Sequence, residues 1–219
     1  LSGSPKPFFR PHPLPIALSL LCPCPAVFVT ATNRAGCCFH VMPIEEFDDY
    51  IEKSLSPRER HEPEAIARLR AEGRLLWLLS KAIKPSVTPR LVLRGHTQER
   101  GPWHRVERIR APTLGSFIEH GRLSSRWIEW VTQSTFSALA KIHEAHDDEG
   151  PLDVVHADLS PANIAVDEAG ARTVILDFDL AWWRNAPIRN DGAFRGTIGY
   201  VAPEIARGER PTVQSDLYS

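Results

Sequence analysis

Three oxygen-bearing side chains stand close together in the second half of the chain: Asp158 and Asn163 in the run VHADLSPANIAV, and Asp177 in VILDFDLA. Asn163 follows Asp158 by five residues and precedes Asp177 by fourteen. Groups of this type can take up a proton or hold a hard cation, although any one of them alone reads as an ordinary turn former. A second pair lies upstream. Lys53 alternates with Ile51 and Leu55 in a strand expected from Tyr50 to Leu55, which carries an ammonium on an apolar face. Glu72 interrupts the apolar stripe Leu69, Leu76, Leu79 of a helix expected from Pro63 to about Ser80, with the proline in its first turn. A lysine and a glutamate that both face a core each need a partner, and each suits the other.

The elements that must position these groups follow from periodicity. Strands are expected at Arg90–Arg94 and Trp103–Ile109, and a short helix at Leu114–His120. A long helix from Ser125 to His146 would bury Ile128, Val131, Leu139 and Ile142. Ile164–Val166 and Thr173–Leu176 form a hairpin around a turn containing Gly170.

With 42% apolar and 24% charged residues, the 219-residue chain has the composition of a soluble globular protein. A net charge of −1 gives no electrostatic footprint for a nucleic acid or a membrane surface. Residues 1–41 differ: they hold no Asp or Glu, seven prolines and all four cysteines (Cys22, Cys24, Cys37, Cys38). Pro15, Pro23 and Pro25 break the apolar run there, so no regular spanning helix is expected, and the segment reads as a disordered or non-native leader ending at Met42, the single methionine. With no cysteine after Cys38 the folded part needs no oxidising compartment, and a cytoplasmic location is expected.

In order, VHADLSPAN, LDFD, GTIGYVAPE and SDLYS resemble the signature of the protein kinase family, whose catalytic loop is H-R-D-L-x-x-x-N, whose metal-binding turn is D-F-G and whose following segment ends in A-P-E. The resemblance covers roughly residues 45–219 and implies an α+β, two-lobed fold. Residues 42–110 would form a small lobe of antiparallel sheet with one helix, and 111–219 a mainly helical large lobe that stops within its central helix. It also implies ATP and Mg²⁺ as cofactors and a protein hydroxyl, of Ser or Thr, as acceptor. Asp158 would orient that hydroxyl, Asn163 and Asp177 would hold the metal, and Lys53, paired with Glu72, would contact the ATP phosphates. Val106 would be the gatekeeper, with Glu107 and Ile109 offering main-chain atoms to the adenine. His156 and Phe178 would pack behind the loop, and Asp216 would hydrogen-bond its backbone.

The chain departs from that pattern in several places. No glycine-rich loop precedes Lys53; residues 33–45 offer only Gly36. Ala157 replaces the arginine that receives a phosphorylated activation loop, and residues 180–195 contain no Ser, Thr or Tyr, so control by phosphorylation of that stretch is not expected. Asp179 replaces the glycine of the metal-binding turn, restricting a backbone that glycine leaves free and adding a carboxylate beside Asp177 that would raise metal affinity or shift a pKa, and Ser160 replaces a lysine. These departures keep two further readings open: a pseudokinase that binds nucleotide or acts as a scaffold, and a small-molecule phosphotransferase.

Overall fold

The computed structural model describes residues 43–121, 123–187 and 196–219. The leader, most of the segment where a glycine-rich loop was sought, and residues 188–195 lie outside them.

Four strands form one antiparallel sheet. They are β1 (Ile44–Glu46), β2 (Tyr50–Ser54), β3 (Leu91–Thr97) and β4 (Gly101–Glu107), in the order β1-β2-β4-β3. The register sets Ile51 opposite Val106 and Lys53 opposite His104. Strand β1 was not expected from the sequence, because three exposed residues, Ile-Glu-Glu, carry no apolar alternation. Helix α1 (Pro63–Ala82) lies against the sheet, with its leading proline where the missing N–H costs nothing. Leu69, Glu72, Leu76 and Leu79 are all buried, as the stripe required.

Helices α2 (Leu114–His120) and α3 (Ser125–His143) follow, capped by the Thr113 and Ser124 hydroxyls, which accept from Ser116 N and Trp127 N. Helix α3 stops at His143, three residues earlier than expected, because the chain turns into the two-residue strands β5 (His146–Asp147) and β6 (Gly150–Pro151). Arg184 fastens that turn by donating to both oxygens of Asp147 and to the Pro151 carbonyl. The buried stripe of α3 is Val131, Ala138, Leu139 and Ile142; Ile128, expected in it, is 48% exposed. Helix α3 is fastened to the hairpin strand at Ser134, whose hydroxyl accepts from Thr173 N, and Ile128 lies nearly two turns before that point.

The 3₁₀ turn Pro161–Asn163 leads into β7 (Ile164–Asp167), which pairs with β8 (Arg172–Ile175). Two short helices, α4 (Pro203–Ala206) and α5 (Val213–Tyr218), follow. One hydrophobic cluster joins α1, α3 and the hairpin through Leu75, Leu79, Leu139, Ile142, Ile164, Ile175 and Phe178. The loop after α1 is tied to the hairpin, since Ile175 N donates to Val87 O at 2.8 Å and Arg172 to Ser86 O at 3.0 Å. Among the described residues no helix is long and apolar enough to cross a membrane.

Candidate active site

Strand β2 presents Lys53 on the face covered by α1, and helix periodicity brings Glu72 to the same point. Lys53 Nζ lies 2.5 Å from Glu72 Oε1 and 2.6 Å from Asp177 Oδ1. The Lys53 side chain is 11% and the Glu72 side chain 1% exposed, so this ion pair is shielded from solvent, whereas Asp177 keeps 44% of its side chain in the open. Burial pulls against the charge of the lysine, but Asp177 and Glu72 outweigh it and push its pKa far above the ordinary value. For Asp177, burial raises the carboxyl pKa and the adjacent Lys53 ammonium more than reverses that, leaving it low and the group ionised.

Asp177 has φ +58°, in the left-handed region, which a β-branched residue would resist and an aspartate tolerates. Asp179 does not adopt a positive φ, so the turn does not need a glycine there. The replacement acts through charge instead. Enclosure and the neighbouring Asp177 push the Asp179 pKa up to about 7.

The catalytic-loop candidate is held from two sides. Behind it, buried Asp216 on α5 accepts from His156 N at 2.8 Å and Ala157 N at 2.9 Å, and its Oδ2 is 2.9 Å from His143 Nε2. Those bonds fix Ala157 at φ +64°, a conformation alanine adopts only when its surroundings impose it. His156 Nδ1 accepts from Asp158 N at 3.3 Å, and its Nε2 lies 2.7 Å from Leu176 O, so the network assigns the ring proton to Nε2. His156 and Phe178 are fully buried with ring centroids 4.9 Å apart, as packing residues should be.

In front, Thr197 N and Oγ1 donate to Asp158 Oδ1 at 2.7 and 2.8 Å. Burial raises the Asp158 pKa, the two Thr197 bonds oppose it, and the net shift is upward. Gly196 enables this approach: at φ +121° an added Cβ would meet Val201 Cγ2 at 2.6 Å. Asn163 Nδ2 donates to Asp158 O at 2.8 Å, which leaves the amide oxygen as its available ligand atom.

The donor set suits Mg²⁺, which typically takes one or two carboxylates and completes its shell with phosphate and water oxygens. Asp177 and Asn163 Oδ1 are hard oxygen donors of this kind, and among the described residues no cluster of three His, Cys, Asp or Glu side chains could hold a metal by itself. Val106 is buried at the end of β4, and Glu107 pairs with Arg90, its Oε2 2.9 Å from Arg90 Nε. A groove of about 470 Å³ runs between residues 107–112 and the β7–β8 turn. Its walls include Glu107 and Ile109 but none of Lys53, Asp158, Asn163 and Asp177, so it is separate from the charged cluster.

Thr197, five residues before Ala202-Pro203-Glu204 and a substrate-pocket residue by the family resemblance, reaches Asp158 across 39 residues. One contributor was not legible beforehand. His104 is 1% exposed beside Glu72; its signal was the alternation of β4, where Pro102, His104 and Val106 are the buried residues.

The α+β fold joins Lys53 to Glu72 and Asp177 and joins Asn163 to Asp158, with Asp177 near enough to act on the charge of Asp158. The protein kinase domain profile matches residues 103–219, and the chain belongs to that family. It is 31% identical over 169 residues to the serine/threonine-protein kinase PknA of Mycobacterium tuberculosis, covering 76% of this chain and 37% of that protein. It is 33% identical over 125 residues to a probable serine/threonine-protein kinase PknB of Bifidobacterium longum, covering 55% of this chain and 17% of the relative. Over 121 residues it is 32% identical to the serine/threonine-protein kinase AfsK of Streptomyces griseus, covering 54% of this chain and 14% of the relative. The chain thus spans well under half the length of these relatives.

Proposed function

We propose that this chain is the nucleotide-binding and phosphoryl-transfer core of a cytoplasmic protein kinase that uses Mg²⁺-ATP to phosphorylate serine or threonine on a protein. Residues 42–110 act as its small lobe and 111–219 as its large lobe. The observation that carries the reading is the contact of Lys53 Nζ with both Glu72 and Asp177, because it joins the sheet, the helix and the turn at one point. Asn163 and Asp177 would hold the metal, which would supply charge neutralisation at the phosphates. Lys53 draws the phosphates toward the sheet, and Glu107 and Ile109 offer main-chain atoms to the base below the Val106 gatekeeper. Asp158 orients the acceptor hydroxyl and takes its proton as that oxygen bonds to the γ-phosphorus and the bond to the β-phosphate oxygen breaks, releasing ADP. The raised Asp158 pKa improves it as a proton acceptor.

The test is phosphate transfer from Mg²⁺-ATP to a generic basic protein, by wild type and by Asp158→Ala and Asp177→Ala. Transfer lost in both variants supports the reading. One observation favours a pseudokinase instead: Asp179 adds a second carboxyl beside Asp177, where the family carries glycine. ATP binding with no transfer in wild type would select that alternative, and transfer to metabolites but not to proteins would select a small-molecule phosphotransferase.

A further inference from the structure

Glu72 has two carboxylate oxygens in a dry site, and Lys53 takes one of them. The other, Oε2, is 3.5 Å from His104 Nε2, and neither of these two buried atoms has a hydrogen-bond partner elsewhere. Buried polar atoms are almost always paired, so two such atoms facing each other at the edge of bonding distance belong together. We propose that His104 is a positioning residue for Glu72, its imidazole Nε2–H holding Oε2 so that Oε1 stays on Lys53. The inference deepens the kinase reading, on which the value of the Lys53–Glu72 pair rests.

The fold builds a seat for the ring. Lys53 and His104 are directly opposed on neighbouring strands, so the carboxylate rising from α1 is gripped by adjacent positions of one sheet. Gly73, next to Glu72, lies under the imidazole: a Cβ there would touch Nδ1, Cγ and Cβ of His104 at 3.4–3.6 Å. These are ordinary contact distances, so the ring is seated closely on the backbone of α1 without strain. Three charged groups act on the ring: Glu72 from α1, Lys53 from β2 and Asp177 from the turn after β8. Burial disfavours the imidazolium, which suits a neutral donor.

Two arms test this. In the first, the His104 imidazole is followed by NMR across a pH titration and assigned by its loss in His104→Gln. Glu72→Gln should lower the pH at which the ring titrates, and Lys53→Met should raise it; a ring indifferent to both overturns the proposal. In the second, ATP affinity is compared between His104→Leu, which keeps bulk without a donor, and His104→Gln, which keeps a donor. Binding should weaken about tenfold in the leucine variant and much less in the glutamine variant, since a hydrogen bond to a charged group is at stake. Equal losses would reduce His104 to a packing role and overturn the proposal. Absence of ATP binding in wild type would defeat the kinase reading instead, and the titration would then decide the contact by itself.

Discussion

The two halves of the site hold their carboxylates by different means. On the sheet side, Glu72 and Asp177 are held by a charge, the Lys53 ammonium. On the loop side, Asp158 is held by dipoles, the amide and hydroxyl of Thr197, and Asp216 by two backbone N–H groups together with His143. A charge-held carboxylate stays ionised but leaves a costly remnant when its partner is removed. A dipole-held one can be tuned, because each donor shifts its pKa by an increment. The cation therefore sits where phosphate charge would be met, and the adjustable carboxylate where a proton would be taken.

The comparison can be broken most directly at Asp216. Asp216→Ala leaves the His156 and Ala157 amides without an acceptor and releases Ala157 from its enforced φ; it should cost about 3–5 kcal/mol in urea denaturation. A loss below about 1 kcal/mol would show that dipoles do not hold the loop. Lys53→Met should cost about 3 kcal/mol, and Lys53→Met/Glu72→Met should recover part of it, since a buried apolar pair is tolerated better than an orphaned carboxylate. Additive losses would mean that the pair is not mutually dependent.

Thr197→Val removes one donor from Asp158 while keeping shape. Phosphate transfer should fall about tenfold, and the acid limb of its pH profile should move to higher pH, because that bond was opposing the upward shift. Asp179 gives a test of opposite sign. With its folded pKa raised to about 7 above an unfolded value near 4, it favours the folded state at low pH and loses that contribution as pH rises through 7. Measured in EDTA, the wild-type Tm should therefore fall relative to Asp179→Asn between roughly pH 4 and 7 and run parallel above. The smallest effect is expected from Gly73→Ala, which should stabilise α1 by up to about 1 kcal/mol, because its methyl reaches the His104 ring at ordinary contact distance.

How much of this was legible depended on how local each signal was. Asp158, Asn163 and Asp177 lie within twenty residues around one hairpin, and their spacing carried the family resemblance. Lys53 and Glu72 were found because a charge inside an apolar period asks for a partner, and the 2.5 Å contact supplies one. The bounds of α3 and the exposure of Ile128 were not legible, since periodicity identifies a helix face but not how far its neighbour extends. His104 gave no strong signal: a histidine in a strand has no hydrophobic weight, and its importance appears only when the register sets it opposite Lys53. Of the two effects expected of Asp179, a restricted backbone and an added carboxylate beside Asp177, the first is not seen, since its φ is not positive, and the second accords with its raised pKa.

The tie between the loop after α1 and strand β8 has a mechanical consequence. With Val87 and Ser86 pinned to the hairpin, the C-terminal end of α1 is a pivot fixed to one half of the molecule, while the sheet belongs to the other. Glu72 stands ten residues from the last residue of the helix, a lever arm of about 15 Å at the helical rise. A swing of only about 5° displaces its carboxylate by about 1.3 Å, more than the length tolerance of a hydrogen bond. The Lys53 contact would therefore break on a small change in the angle between α1 and the sheet.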